Sequence, residues 1–126
     1  MAMNDILGSA LSDINNSEKA GKKELIVRQS KLVVQVLQLM QEHLYIGEFE
    51  KTPNNKIKVR LLGNINKCNV IKPRYPFQKN STEKFEKRYL PAKGFGMIIV
   101  STSKGITTLE KCRELSTGGR LLSYVY

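Results

Sequence analysis

The hydrophobic period of this chain changes abruptly near residue 44. Before that point Val33, Val36, Leu37, Met40 and Leu44 recur at helical spacing, and Leu32, Val34 and Leu39 widen the same stripe. Ser30 stands where an N-cap belongs. After that point the period is two. In residues 56–62, Ile57, Val59 and Leu61 alternate with Lys56, Lys58 and Arg60. Thr52-Pro53-Asn54-Asn55 is a dense turn signal that joins residues 45–50 to residues 56–62 as a hairpin. A helix this apolar needs a sheet to cover it, and a strand with one dry face needs a layer above it. Helix and hairpin together therefore require an α+β arrangement.

The remaining segments extend this pattern. Asn4 is the expected N-cap of a first helix, with Asp5 placed against its positive end. Ile6, Leu7, Ala10, Leu11 and Ile14 form its apolar stripe, and Asn15-Asn16 is expected to fray it. Lys19, Lys22 and Lys23 surround Gly21 in a basic loop before a short strand at 24–28. Residues 1–64 thus read as helix, strand, helix and hairpin. Beyond Gly63-Asn64 the chain mixes apolar, basic and proline residues, and Pro73 and Pro76 forbid a regular helix there. A short helix is expected at 83–88, a linker at 91–94 and a strand at 95–102. A helical stretch at 109–115 follows, capped by Thr108, then a turn at 117–120 and a closing strand at 121–126. The expected fold class is α+β. Its N-terminal helix–strand–helix–hairpin half (1–64) packs against a mainly antiparallel β half (65–126) with a short helix.

Charge narrows the function. The chain carries 21 Lys and Arg against 11 Asp and Glu, a formal net of +10 in 126 residues. Residues 51–93 hold twelve basic and two acidic residues, so the whole excess lies there; the rest of the chain balances at nine of each. Such a localised excess points to a polyanion, most often nucleic acid. Two distant cysteines, Cys68 and Cys112, fit a reducing compartment. No apolar run approaches the roughly 18–20 residues that span a bilayer. Together with a start that lacks an export signal, these features lead us to expect a soluble cytoplasmic protein without membrane contact.

Catalytic chemistry finds no footing. There is one histidine, His43, at a helix end where capping or packing is the ordinary role. Gly94-Phe95-Gly96 precedes a strand, the wrong order for cradling phosphate ahead of a helix. Cys68, Cys112 and His43 do not make a usual four-ligand zinc site. No enzyme, cofactor, metal or small-molecule substrate is expected. RNA binding has more support. After the apolar run Met97-Ile98-Ile99-Val100 come Ser101-Thr102-Ser103-Lys104-Gly105, and further on Thr117-Gly118-Gly119-Arg120. Hydroxyls, glycines and a cation at turns suit phosphate, ribose and base-edge contacts, although such turns also form simply by bonding their own backbone. Lys56, Lys58 and Arg60 on one strand face could grip phosphates or form a solvated face. Tyr75, Phe77, Phe85 and Tyr89 interleave with cations and could stack on bases, with some of them in the core. A free-standing regulator, winged-helix-like or repressing a messenger RNA, is the alternative, weakened by the apolar outer side of helix 30–44.

The chain resembles the small-subunit ribosomal protein eight family in its eukaryotic and archaeal form. The anchors are Met3-Asn4-Asp5-Ile6-Leu7 with Ile14-Asn15-Asn16, Tyr45-Ile46-Gly47-Glu48-Phe49-Glu50 and Asn66-Lys67-Cys68-Asn69-Val70-Ile71-Lys72-Pro73-Arg74. The most specific are Gly96 to Ile106 and the ending Thr117 to Tyr126. The resemblance implies binding to the central domain of small-subunit rRNA beside neighbouring small-subunit proteins. It implies that Ser101, Thr102, Ser103, Lys104 and Gly105 enter an RNA minor groove, with Thr117, Gly118, Gly119 and Arg120 beside them. It also implies a backbone-gripping surface at Asn4, Lys19, Lys22 and Lys23. Leu115-Ser116-Thr117, the short turn at 51–55 and residues 79–89 depart from the family pattern.

Overall fold

The computed structural model describes residues 6–71, 74–78, 82–92 and 95–126. The fold is α+β with antiparallel sheets. It comprises two compact units, Met1–Cys68 and Asn69–Tyr126.

In the first unit the order is α1 (Ile6–Lys19), β1 (Glu24–Arg28), α2 (Lys31–Glu42), β2 (Ile46–Thr52) and β3 (Lys56–Leu61). The strands form an antiparallel sheet in the order β1-β3-β2. Its central strand turns Ile57, Val59 and Leu61 inward, and α1 and α2 supply buried Leu7, Leu11, Ile14, Val33, Val36, Leu37 and Met40. α1 packs on β1 and α2 on β2. Ser30 caps α2 as expected, its Oγ accepting from the Val33 N–H at 3.1 Å.

Two expectations in this unit need correcting. Asn15-Asn16 does not fray α1, which continues to Lys19. Asn15, one of the pair that suggested an end, is used in a tertiary bond, its Oδ1 accepting from the Cys68 N–H at 3.4 Å, and a turn later the Glu18 carboxylate accepts from the Ile65 N–H at 2.9 Å. Residues 65–68 are thereby tied to α1, together with the Cys68 Sγ, which donates to the Leu11 carbonyl at 3.3 Å. Burial, reinforced by the Glu18 charge, pushes the Cys68 thiol up to about 12. Leu44 does not line the core; it is 69% exposed. It occupies the left-handed position (φ 63°) of a Schellman turn in which Tyr45 N–H donates to Met40 O and Leu44 N–H to Gln41 O. The same pair of bonds closes α1, where Lys22 N–H meets Ser17 O and Gly21 N–H meets Glu18 O, with Gly21 at φ 73°. One fold device is thus built once with glycine and once with leucine.

The second unit's sheet begins with β4 (Cys68–Val70), followed by β5 (Pro76–Phe77), α3 (Thr82–Tyr89), β6 (Met97–Thr102), β7 (Gly105–Thr108), α4 (Leu109–Leu115) and β8 (Gly119–Val125). The sheet order is β4-β8-β6-β7, with β5 also paired to β8. Ile71, Phe77, Phe85, Ile98, Val100, Leu109, Cys112 and Leu121 make its core, with Tyr75, Tyr89, Leu90 and Tyr124 packed at the margin. Thr108 caps α4 by accepting from the Lys111 N–H at 3.2 Å. Arg113 of α4 pairs with Glu86 of α3 and donates to Thr82 Oγ1 at 3.1 Å, which ties the two helices. The expected turn at 117–120 is half strand, because β8 already begins at Gly119. β7 follows the 101–105 turn directly and was not anticipated, since Gly105-Ile106-Thr107 carries too short an alternation to register.

Candidate RNA-binding site

The hydroxyl-rich stretch is the tip of the β6–β7 hairpin. Thr102 pairs with Gly105 and Ser101 with Ile106, which leaves Ser103 and Lys104 as the two residues of the turn. Gly105 takes φ 119°, a conformation side chains rarely adopt, and so lets the strand resume. Thr102 Oγ1 accepts from the Lys104 N–H at 3.1 Å and donates to the Gly105 carbonyl at 2.9 Å. Its hydroxyl is spent on stiffening the tip. Among the described residues the Ser101 and Ser103 hydroxyls have no hydrogen-bond partner, and Ser103, Lys104 and Gly105 are exposed. The three hydroxyls, alike in the sequence, therefore have two different roles.

The second hydroxyl–glycine segment lies directly beside this tip. α4 ends with Ser116 in the left-handed conformation, the Thr117 N–H returns to Cys112 O at 3.0 Å, and the chain enters β8. In β8, Arg120 is the cross-strand partner of Ser101. A Cβ on Gly119 would collide with the Ser101 carbonyl, and one on Gly118 would meet the Phe77 carbonyl at 2.8 Å. Both glycines serve close backbone approach. Segments some fifteen residues apart in sequence thus become one surface, with Ser101, Ser103 and Lys104 on the hairpin and Arg120 next to them.

The other residues expected at the site belong to the first unit. Lys19, Lys22 and Lys23 are exposed around the Gly21 turn. Lys58 and Arg60 lie on the open face of β3 among carboxylates. Lys58 Nζ is 3.5 Å from Glu24 Oε2 and faces Glu50 across the ladder, while Arg60 faces Glu24. Glu48 lines the same groove. Around Lys58 and Arg60 the face is charge-balanced in a way that alternation alone did not show. Asn4 lies outside the described residues.

The aromatic residues also divide. Phe77 and Phe85 are buried, whereas Tyr75 and Tyr89 are only partly so. His43 Nδ1 lies 2.9 Å from the Leu39 carbonyl, a local contact at the end of α2. Among the described residues no group of three or more His, Cys, Asp or Glu is placed to hold a metal ion, and no helix is long and apolar enough to cross a membrane.

The family model for ribosomal protein S8 matches residues 5–126. The chain belongs to the ribosomal protein S8 family. As a member it is a small-subunit ribosomal protein that binds rRNA and sits among other ribosomal proteins. The S8 family is a structural, RNA-binding one and not a family of enzymes. The match runs through both units, including the β6–β7 tip and the Gly118-Gly119 entry to β8.

Proposed function

We propose that this S8 protein grips a helix in the central domain of small-subunit rRNA with the β6–β7 tip, and by doing so supports subunit assembly and translation in the cytoplasm. The observation that carries the reading is the division of labour among the hydroxyls. Thr102 holds the turn rigid, while Ser101 and Ser103, with their hydroxyls unpartnered among the described residues, lie beside Lys104 and Arg120. A stiff tip with free donors and acceptors suits the shallow RNA minor groove, where 2′-hydroxyls and base edges are displayed. Stiffness lowers the ordering cost of binding. Gly118 and Gly119 let β8 approach Phe77 and Ser101 closely, which sets Arg120 beside the tip.

Lys19, Lys22 and Lys23, and Asn4 with them, are assigned a supporting grip on the RNA backbone. Lys58 and Arg60 are weaker candidates, because Glu24, Glu48 and Glu50 offset them locally. The free-standing regulator finds no support in α2, where four core residues are fully buried and Lys31 and Gln38 are the exposed positions before the last turn. Binding of wild type and Ser103→Ala to a central-domain rRNA transcript tests the reading. Loss of one good polar contact should weaken binding by about 1–3 kcal/mol, and equal affinities would remove the tip from the interface.

A further inference from the structure

The sheet brings a second group of side chains, which the family match does not assign, to the same end as the tip but on its other face. β5 pairs with the far side of β8, Pro76 opposite Arg120 and Phe77 opposite Gly119, and the Leu121 N–H donates to the Tyr75 carbonyl at 2.9 Å. The Tyr75 backbone therefore stands two strand spacings from that of Ser101, about 10 Å, with the Tyr75 side chain on the Val100 and Leu121 face of the sheet and those of Ser101 and Arg120 on the other. Over the Tyr75 ring lies the Arg88 guanidinium of α3, 5.3 Å from its centroid, and the same guanidinium is 5.5 Å from the centroid of Tyr89. Tyr89 is itself backed by Tyr124 at 5.6 Å, and Tyr124 by Tyr126 at 6.2 Å. An exposed arginine is thus held between two rings, one of them at the end of an aromatic column.

The charges around it are mostly positive. Lys84 and Arg88 are one helical turn apart on α3, a like-charge spacing that destabilises a helix unless an anion lies near. Of the two carboxylates of α3, Glu86 is taken by Arg113 and Glu83 forms no ion pair with either cation among the described residues. Among the described residues neither Lys84, Arg88 nor the exposed Arg74 forms an ion pair. A guanidinium stacked on rings keeps its N–H edge free and loses little freedom on binding, which suits a phosphate or the edge of an unpaired base. The partly exposed Tyr75 ring offers a stacking face beside it.

We infer that Arg74, Tyr75, Lys84 and Arg88 form a second contact on the same RNA, a cation–aromatic clamp that takes a backbone segment flanking the groove entered by the tip. This rests on the proposed role of the tip and extends it. The test is equilibrium binding of the full chain to a central-domain rRNA transcript across a salt series. Arg88→Ala and, independently, Lys84→Glu should each weaken binding roughly tenfold and lower the salt slope by about one. Arg88→Lys should keep the slope but recover only part of the affinity, and full recovery would overturn the ring-held geometry. Lys84→Glu leaves both tyrosine contacts in place, so it decides the matter should Arg88→Ala fold poorly. If Ser103→Ala weakens binding while Lys84→Glu and Arg88→Ala change neither affinity nor slope, the clamp is wrong and the tip stands. If Ser103→Ala is also without effect, the reading of the tip fails and the clamp falls with it.

Discussion

Gly119 lies under the site, and Gly119→Ala probes how closely β8 must approach β6. The added Cβ would stand inside contact distance of the Ser101 carbonyl and 3.1 Å from Thr102 Cγ2. The threonine methyl could yield. The carbonyl belongs to a strand held by Ile106 on one side and Arg120 on the other, so relief requires the ladder to open. Overpacking that moves backbone costs about 1–3 kcal/mol, and this case belongs at the upper end. For a chain of this length each kcal/mol lowers Tm by roughly 3–5 °C, so the melting point should fall by about 10 °C. Gly63→Ala is the control. Nothing lies within 4 Å of its added Cβ, and its φ of 77° leaves only conformational strain, worth about 1–2 kcal/mol. Calorimetry or circular dichroism melts of both variants give the comparison. Gly119→Ala as stable as Gly63→Ala would refute the close-approach account of β6 and β8.

Leu44→Gly should stabilise the protein by about 1 kcal/mol, as the shared Schellman geometry already suits glycine at Gly21; a lower denaturation midpoint would contradict this. Thr102→Val removes both tip bonds, so it should cost about 1 kcal/mol of stability as well as RNA affinity, whereas Ser103→Ala should leave the melt unchanged. Cys68 ties stability to alkaline pH. Its folded thiol is raised from 9.0 to about 12, so the native state holds a proton that the unfolded chain releases between those values. Stability should therefore be fully present below about pH 9 and fall above it by roughly 1 kcal/mol per pH unit more steeply than in Cys68→Ala. Parallel slopes for the two proteins would show that the thiol is not held protonated. Glu18→Gln should cost about 1 kcal/mol by weakening the bond from the Ile65 N–H, read in urea unfolding.

Much of the fold was legible because local signals and tertiary needs agreed. The Ser30 and Thr108 caps, the alternation of Ile57, Val59 and Leu61, and the apolar run at 97–100 all say the same thing at both levels. The misreadings occur where a residue's partner is remote. Asn15-Asn16 looks like a helix end until Cys68 supplies a donor to Asn15. Leu44 continues a helical stripe by spacing, yet the chain reverses at that residue. Thr117-Gly118-Gly119-Arg120 reads as a turn by composition, and only the nearness of Phe77 and Ser101 shows that the glycines let backbones meet.

The site was legible in part for the same reason. Its residue types pointed to RNA, but composition could not tell that Thr102 bonds inward while the Ser101 and Ser103 hydroxyls lack partners among the described residues. Nor could it show that Arg120 neighbours Ser101, or that Lys58 and Arg60 lie among carboxylates. Each of these depends on cross-strand register. The pairing of Arg88 with two tyrosines depends on where α3 docks, and the spacing of Tyr75 and Arg88 in sequence carries no trace of it.

The central claim is that the β6–β7 tip enters the RNA. Hydroxyl-radical footprinting of a small-subunit rRNA transcript with wild type and Ser103→Ala, at matched occupancy, tests it most directly. The account predicts a protected minor-groove segment in the central domain that loses protection locally in the variant while other protections persist. Protection unchanged at every nucleotide would contradict it.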